Sequence, residues 1–259
     1  MIGKGSTKKG DFRDWFVSFV GSYEEEGRLH PLLELKRDHS LRVAALARQI
    51  AGEIGTDVEE AEAVGLLHDA GRFPQYRDYG TFYDALSVDH GCLGRTVIEG
   101  ALDRGELALD GKLRLPLLTA VEHHNDLALP EGLDGTALVL ASLVRDADKV
   151  DIFSVVRHWF EAGRAGELLP RLEPEGNLSP GLLEEWDREG RLTHRHIRTL
   201  SDFLVLQLSW IDDVNYAPAL ALLVERGNLD WIAARLPDEG RTVALGTVER
   251  ARSRIAGTF

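Results

Sequence analysis

Cysteine is almost absent from this 259-residue chain: Cys92 stands alone, so no internal disulfide can form and nothing calls for an oxidising compartment. The cytoplasm is therefore the expected location. Long apolar runs are missing as well. None approaches the roughly 18 residues that a spanning helix needs, and the polar, lysine-rich start from Met1 to Gly10 has no apolar stretch behind it, which argues against a signal peptide or membrane anchor. Only 9 prolines and 26 glycines occur among 44% hydrophobic residues, a composition that excludes collagen-like and disordered classes. Basic residues are in deficit, 30 against 43 acidic ones, and the net charge of -13 disfavours broad binding to nucleic acid or anionic membrane. A small anion in a locally positive or metal-bearing pocket remains compatible with that charge.

Strand-like alternation is hard to find, whereas apolar residues recur at helical spacing almost everywhere, so the fold is expected to be all-α. The spacing predicts a flexible tail over 1–10 and a first helix from Asp11 to about Glu26, carrying Trp15, Phe16, Phe19 and Val20. A second helix runs from Pro31 to Ile54 and stops at Gly55, and a third is capped by Thr56 or Asp57 and closes near Gly71. The stretch from Phe73 to Leu86, interrupted by Pro74 and Gly80, reads as a loop whose aromatics and Arg77 could cover a site. Further helices are expected from about Ser87 to His90 onward, after Pro116, and from about Gly135 to Phe160. Beyond Ala162, helical stretches near Gly181–Glu189, His194–Asp212, Ala217–Glu225 and Asp230–Leu236 are separated by Gly, Pro and charge. Residues 11–160 thus form the expected core domain and 161–259 a helical extension packed on it. There is no repeat or low-complexity tract.

Five of these helices deliver a metal-competent side chain on or beside an apolar face: His39, the pair His68 and Asp69, His90, His124 and Asp148. Burying imidazoles and carboxylates singly is costly, whereas gathering them around a divalent cation satisfies them together. Imidazole plus carboxylate without thiolate suits iron, manganese, zinc, cobalt or nickel, and argues against a finger-type zinc site. Taken alone, His39 could be a hydrogen-bonded core histidine. His124 shares its face with Leu117, Ala120 and Val121, which favours it over His123, a residue that could instead contact substrate; Asp146 and Asp148 are not separable by pattern.

The order of these residues resembles the HD-domain metal-dependent phosphohydrolase superfamily. Lys36-Arg37-Asp38-His39-Ser40-Leu41-Arg42-Val43-Ala44 looks like its first histidine helix, Gly65-Leu66-Leu67-His68-Asp69-Ala70-Gly71-Arg72 like its namesake turn, and Asp146-Ala147-Asp148-Lys149 like its final aspartate motif. The resemblance spans about residues 30 to 160. It implies a helical bundle in which His39, His68, Asp69 and Asp148 hold a first ion, and it favours Asp148 over Asp146. Members with two additional histidines hold a second ion, here through His90 and His124, with Asp69 bridging; a one-ion version would free those two histidines to contact substrate or donate a proton.

Such a site hydrolyses phosphate esters, because divalent cations lower the pKa of water from about 15.7 toward about 7 and neutralise phosphoryl charge. On this reading Asp69, His90 and Lys149 form the catalytic set. Lys149, Arg72, Lys36 and Arg42 are the cations expected to hold a small phosphorylated substrate, a nucleotide by family likeness, although the last three could equally be solvated surface cations. His194 and His196 read as surface histidines, and Trp159, Trp186, Trp210 and Trp231 as packing residues. Two other readings use the same residues: a nucleotide-sensing or partner-binding module with little turnover, and a di-iron oxygenase. Oligomeric state is not legible.

Overall fold

The computed structural model describes residues 11–257, and all regular structure among them is helical apart from two isolated bridges. The expected tail over 1–10 lies outside the described residues. In chain order the helices are α1 (Asp11–Gly21), α2 (Pro31–Ile54), α3 (Val58–Leu67), α4 (Arg72–Tyr79), α5 (His90–Asp103), α6 (Gly111–His123), α7 (Gly135–Glu161), α8 (Ala165–Leu168), α9 (Leu182–Glu189), α10 (Leu200–Ser209), α11 (Ala217–Glu225), α12 (Asn228–Arg235) and α13 (Asp238–Ala256), with 3-10 turns at Asp84–Leu86, His194–His196 and Trp210–Asp213. No helix among the described residues is long and apolar enough to cross a membrane. The chain divides into two compact units between Asp148 and Lys149, inside α7.

In the first unit, local chemistry explains where most helices begin and end. Pro31 opens α2 behind the His30 side chain, which accepts from the Leu32 N–H, and Gly55 ends it in the left-handed region at φ 73°. Asp57 caps α3 by accepting from Glu59 and Glu60, and Asp89 caps α5 by accepting from Cys92. Helices α2 and α3 pack so closely at Gly65 that a Cβ there would lie 2.8 Å from the Ala44 Cα and 2.9 Å from the Val43 carbonyl oxygen. This contact brings the ends of α3 and the middle of α2 together, and with them His68, Asp69 and His39. Gly71 serves the same purpose for α5, because a Cβ there would collide with the His90 carbonyl and the Gly94 amide.

Three segments depart from the sequence expectation. The first helix ends at Gly21 rather than near Glu26, because the chain turns into a tight hairpin in which Glu25 and Arg28 exchange backbone hydrogen bonds. Residues 72–79, expected as a loop, are helical: Pro74 falls in the first turn, where its missing N–H has no intrahelical partner to lose. Phe73 is fully buried and packs on Phe16, Phe19 and Tyr23, so it fills the core rather than covering a site. Arg77 pairs with Asp78 and lies over the Tyr23 ring. Finally, α6 begins at Gly111 behind the Asp110 cap, leaving Pro116 inside it.

The second unit has a conventional apolar interior built on Leu204, Val205, Leu208, Leu220, Leu223, Ile232 and Val248. Its α13 was not anticipated from the sequence; only Gly240, Ala244, Thr247, Val248 and Ala251 of its 19 residues are buried, a thin stripe in a highly charged segment. Trp210 and Trp231 pack edge-on against Phe153 and Phe160, as expected of packing residues.

Candidate metal centre

Asp69 lies in the turn after α3 and is 2% exposed, with each of its carboxylate oxygens facing a different pair of imidazoles. Oδ2 is 3.6 Å from Nε2 of both His39 and His68, while Oδ1 is 3.5 Å from His90 Nε2 and 3.6 Å from His124 Nε2. Within the first pair the two Nε2 atoms are 3.3 Å apart, and Asp148 Oδ1 completes the group at 3.0 Å from His39 and 3.8 Å from His68. Within the second pair the Nε2 atoms are 3.1 Å apart. Four ligands at about 2.0–2.2 Å in tetrahedral array stand about 3.3–3.6 Å from one another. The observed separations scatter around that spacing.

Protonation explains why these atoms suit a cation. His68 Nδ1 donates to the Gly65 carbonyl at 2.8 Å, and burial pushes the ring pKa down to about 3, so the ring is neutral and its Nε2 is a bare lone pair. His90 Nδ1 donates to Asp84 Oδ2 at 2.6 Å; burial, joined by the nearby Arg72 charge, lowers that ring to about 4 and leaves its Nε2 bare too. His124 Nδ1 donates to the Val121 carbonyl at 2.7 Å, so a neutral His124 turns a third lone pair toward the same centre. Asp148 Oδ1, buried beside them, faces His39 Nε2 at 3.0 Å and His68 Nε2 at 3.8 Å. Acceptors facing acceptors in a buried site repel unless a positive charge lies among them. These residues therefore fit divalent cations: His39, His68, Asp69 and Asp148 could hold one, and Asp69, His90 and His124 could hold another.

The surrounding cations take different parts. Lys36 Nζ is 2.7 Å from Asp69 Oδ2. Burial alone would raise the Asp69 carboxyl, yet the Lys36 ammonium above all, with the Arg72 charge behind it, holds it well below its ordinary value. The Arg72 guanidinium, expected at the substrate, divides its contacts: its Nη1 donates to Gln75, to the Phe82 carbonyl and to Asp84 at 2.6–2.9 Å, while its Nε, which makes no hydrogen bond, lies 3.5 Å from Asp69 Oδ1. Arg42 is exposed on α2, one turn past His39, and Lys149 Nζ pairs with Asp213 at 2.7 Å in the second unit. His123 is partly exposed and bonded to Asp126, so the buried member of the pair at the cluster is His124.

Two residues of this site escaped sequence reading. Asp84 sits in a 3-10 turn, is anchored by Arg72 and Gln75, and accepts a hydrogen bond from the His90 Nδ1–H, which holds its carboxyl below the ordinary range despite partial burial. Nothing in a non-periodic stretch marks it as a partner of a histidine six residues on. Arg145, 4% exposed on α7, donates to the carbonyls of His123, His124 and Asp126 and so fixes the end of α6 that carries His124.

Residues 37–152, the stretch that supplies this helical cluster of histidines and aspartates, match the family model described as HD domain. Every residue of the cluster lies inside the matched segment. Among curated proteins the chain is similar to Ribonuclease Y of Lawsonia intracellularis, 33% identical over 111 residues, 42% of this chain and 17% of that one. Ribonuclease Y of Lachnoclostridium phytofermentans is 34% identical over 113 residues, 43% of this chain and 17% of the relative. Ribonuclease Y of Enterococcus faecalis is 32% identical over 143 residues, 55% and 22% of the respective chains. The chain thus spans about a fifth of the length of these relatives. No solved structure matches it.

Proposed function

We propose that the protein is a metal-dependent phosphohydrolase that cleaves a phosphate ester of a small phosphorylated metabolite, a nucleotide or short nucleotide chain. One observation carries the reading: the two oxygens of buried Asp69 face two separate imidazole pairs at 3.5–3.6 Å, the arrangement a carboxylate needs to bridge two cations. Bound divalent cations would supply an acidified water as nucleophile and positive charge to offset that of the phosphoryl group. The chain's own contributions are distinct. Four imidazoles present Nε2, with Gly65, Val121 and Asp84 holding the Nδ1 protons of three of them. Lys36, about one-fifth exposed, is placed to exchange its contact with Asp69 for a phosphoryl oxygen. Lys149 and Arg42 remain candidate outer cations.

The ribonuclease name borne by the relatives supports phosphodiester chemistry at such a site. The net charge of -13 weighs against extended nucleic acid and for short substrates. Elemental analysis of protein purified without chelators, followed by a panel of nucleotides, dinucleotides and p-nitrophenyl phosphate, tests the proposal. Two ions per chain with turnover that disappears in Asp69→Asn are expected. Metal-loaded protein that hydrolyses nothing while binding one nucleotide tightly would replace the enzyme with a sensor.

A further inference from the structure

We infer that the cleft between the turn at 22–28, the start of α2 and the end of α4 is a nucleobase-binding subsite of the metal centre. It would serve a substrate whose base stands well apart from the phosphoryl group that is cleaved. The inference rests on the phosphohydrolase reading and adds which part of the substrate is recognised, and where.

The cleft has a volume of about 820 Å³, within the range of about 300–1,000 Å³ typical of small-molecule sites. Its walls include Tyr23, His30, Tyr76 and Arg77. His30 is exposed, yet both of its ring nitrogens are engaged: Nδ1 accepts from the Leu32 N–H at 3.2 Å, so Nε2 carries the proton and donates to the Tyr76 hydroxyl, also at 3.2 Å. A ring pinned this way, with Tyr76 against one side, offers a ligand its remaining exposed π surface at little further entropic cost. The charges lining the cleft are mixed. Glu24, Glu25 and Glu34 stand against Arg28, Arg37 and Arg77, two of which are already paired with Asp38 and Asp78. Such a lining is no phosphate cradle; its carboxylates can accept from exocyclic amino groups of a base.

Rings connect this cleft to the metal centre. His30 and Tyr76 have centroids 4.8 Å apart, and Tyr76 and Phe82 are 5.0 Å apart. The Phe82 ring in turn lies 5.7 Å from both Lys36 Nζ and the Arg72 guanidinium, and Lys36 touches Asp69. His39 lies nine positions after His30, about 13–14 Å along the α2 axis. That exceeds the reach from a base to its own phosphate. The fitting substrates therefore carry either an oligophosphate or a second nucleotide between base and scissile bond.

Calorimetric titration of the metal-loaded chain with slowly hydrolysed phosphorothioate analogues of ATP and of the dinucleotide pApA, alongside AMP and inorganic tripolyphosphate, tests this. His30→Ser keeps an N-cap acceptor and removes the ring. It is expected to weaken binding of the preferred analogue about tenfold, as loss of one stacked base does, with tripolyphosphate affinity unchanged as the sign of an intact fold. Preference for the ATP analogue assigns the oligophosphate, and preference for pApA assigns the second nucleotide. Equal affinity for the two analogues and tripolyphosphate, AMP binding as tightly as either analogue, or wild-type affinities in His30→Ser would overturn the subsite. The hydrolase reading fails separately, if the wild-type protein leaves even base-free p-nitrophenyl phosphate intact.

Discussion

Asp69 in the first unit and Asp202 in the second are both almost fully buried carboxylates, yet their surroundings are opposite. Asp202 is surrounded by donors: the N–H groups of Ser179, Arg198 and Thr199 and the Ser179 hydroxyl reach it at 2.7–3.0 Å, and it closes a capping box with Thr199 at the start of α10. Asp69 is surrounded by imidazole nitrogens, of which His68 and His90 are held without a proton on the facing atom, and by Lys36 on one side. The first arrangement is complete within the protein and stabilises a helix start. The second is complete only with added positive charge. Burial of an acid is therefore a poor guide to function, and the protonation state of the groups that face it is a good one.

Substitutions at the two aspartates should separate most clearly. Asp69→Asn should lower phosphohydrolase turnover by about a thousandfold or more and reduce metal content, since it removes the shared charge. Asp202→Ala should do the reverse, costing about 2–4 kcal/mol in urea unfolding with metal stoichiometry unchanged. If Asp202→Ala also stripped the metal, the contrast would collapse.

A smaller effect is expected one bond further out. Asp84→Asn removes the carboxylate that orients His90, and should weaken the more loosely held ion about 10–100-fold by competition with a metal indicator. The ion on the His39 side should hold its affinity.

Acidification sharpens the comparison through stability. His68 and His90 are held near about 3 and about 4 in the folded chain, against an ordinary value of 6.5. Between those values the unfolded chain binds protons that the folded one refuses, so stability falls as pH drops from about 6.5 toward 4. Below about 4 the loss continues as Asp69, Asp84 and Asp148, all depressed in the fold, take up protons. Chelated protein should show this as a declining melting temperature, and Asp202, also depressed, adds only to the lower range. A flat profile from pH 7 to 5 would contradict the assigned neutral imidazoles. The smallest difference lies among the outer cations: Lys36→Ala should raise KM about tenfold, and exposed Arg42→Ala by less than twofold.

Much of this was legible because the relevant signals are local. Pro31 and Gly55 marked α2 to the residue, and helical spacing selected His124 over His123. Pro74 misled, since a proline in the first turn and one in a loop look alike without knowing where the helix starts. Arg72 misled in another way. Its adjacency to Asp69 suggested a substrate contact, but its Nη1 is held by Gln75, Phe82 and Asp84, partners three to twelve residues on across an irregular turn, while its Nε stays 3.5 Å from Asp69.

The residue types and their helical periodicity were enough to choose an all-α architecture and to single out six metal-competent side chains, because propensity, capping and amphipathic spacing act over a few residues. What the chain order alone could not decide was which atom each side chain turns toward its neighbours. That depends on helices separated by dozens of residues meeting at Gly65 and Gly71, and on Asp84 and Arg145 reaching across to fix a ring and a helix end. Proton placement on an imidazole is set by whichever acceptor lies within 3 Å of it, and only folding brings that acceptor there.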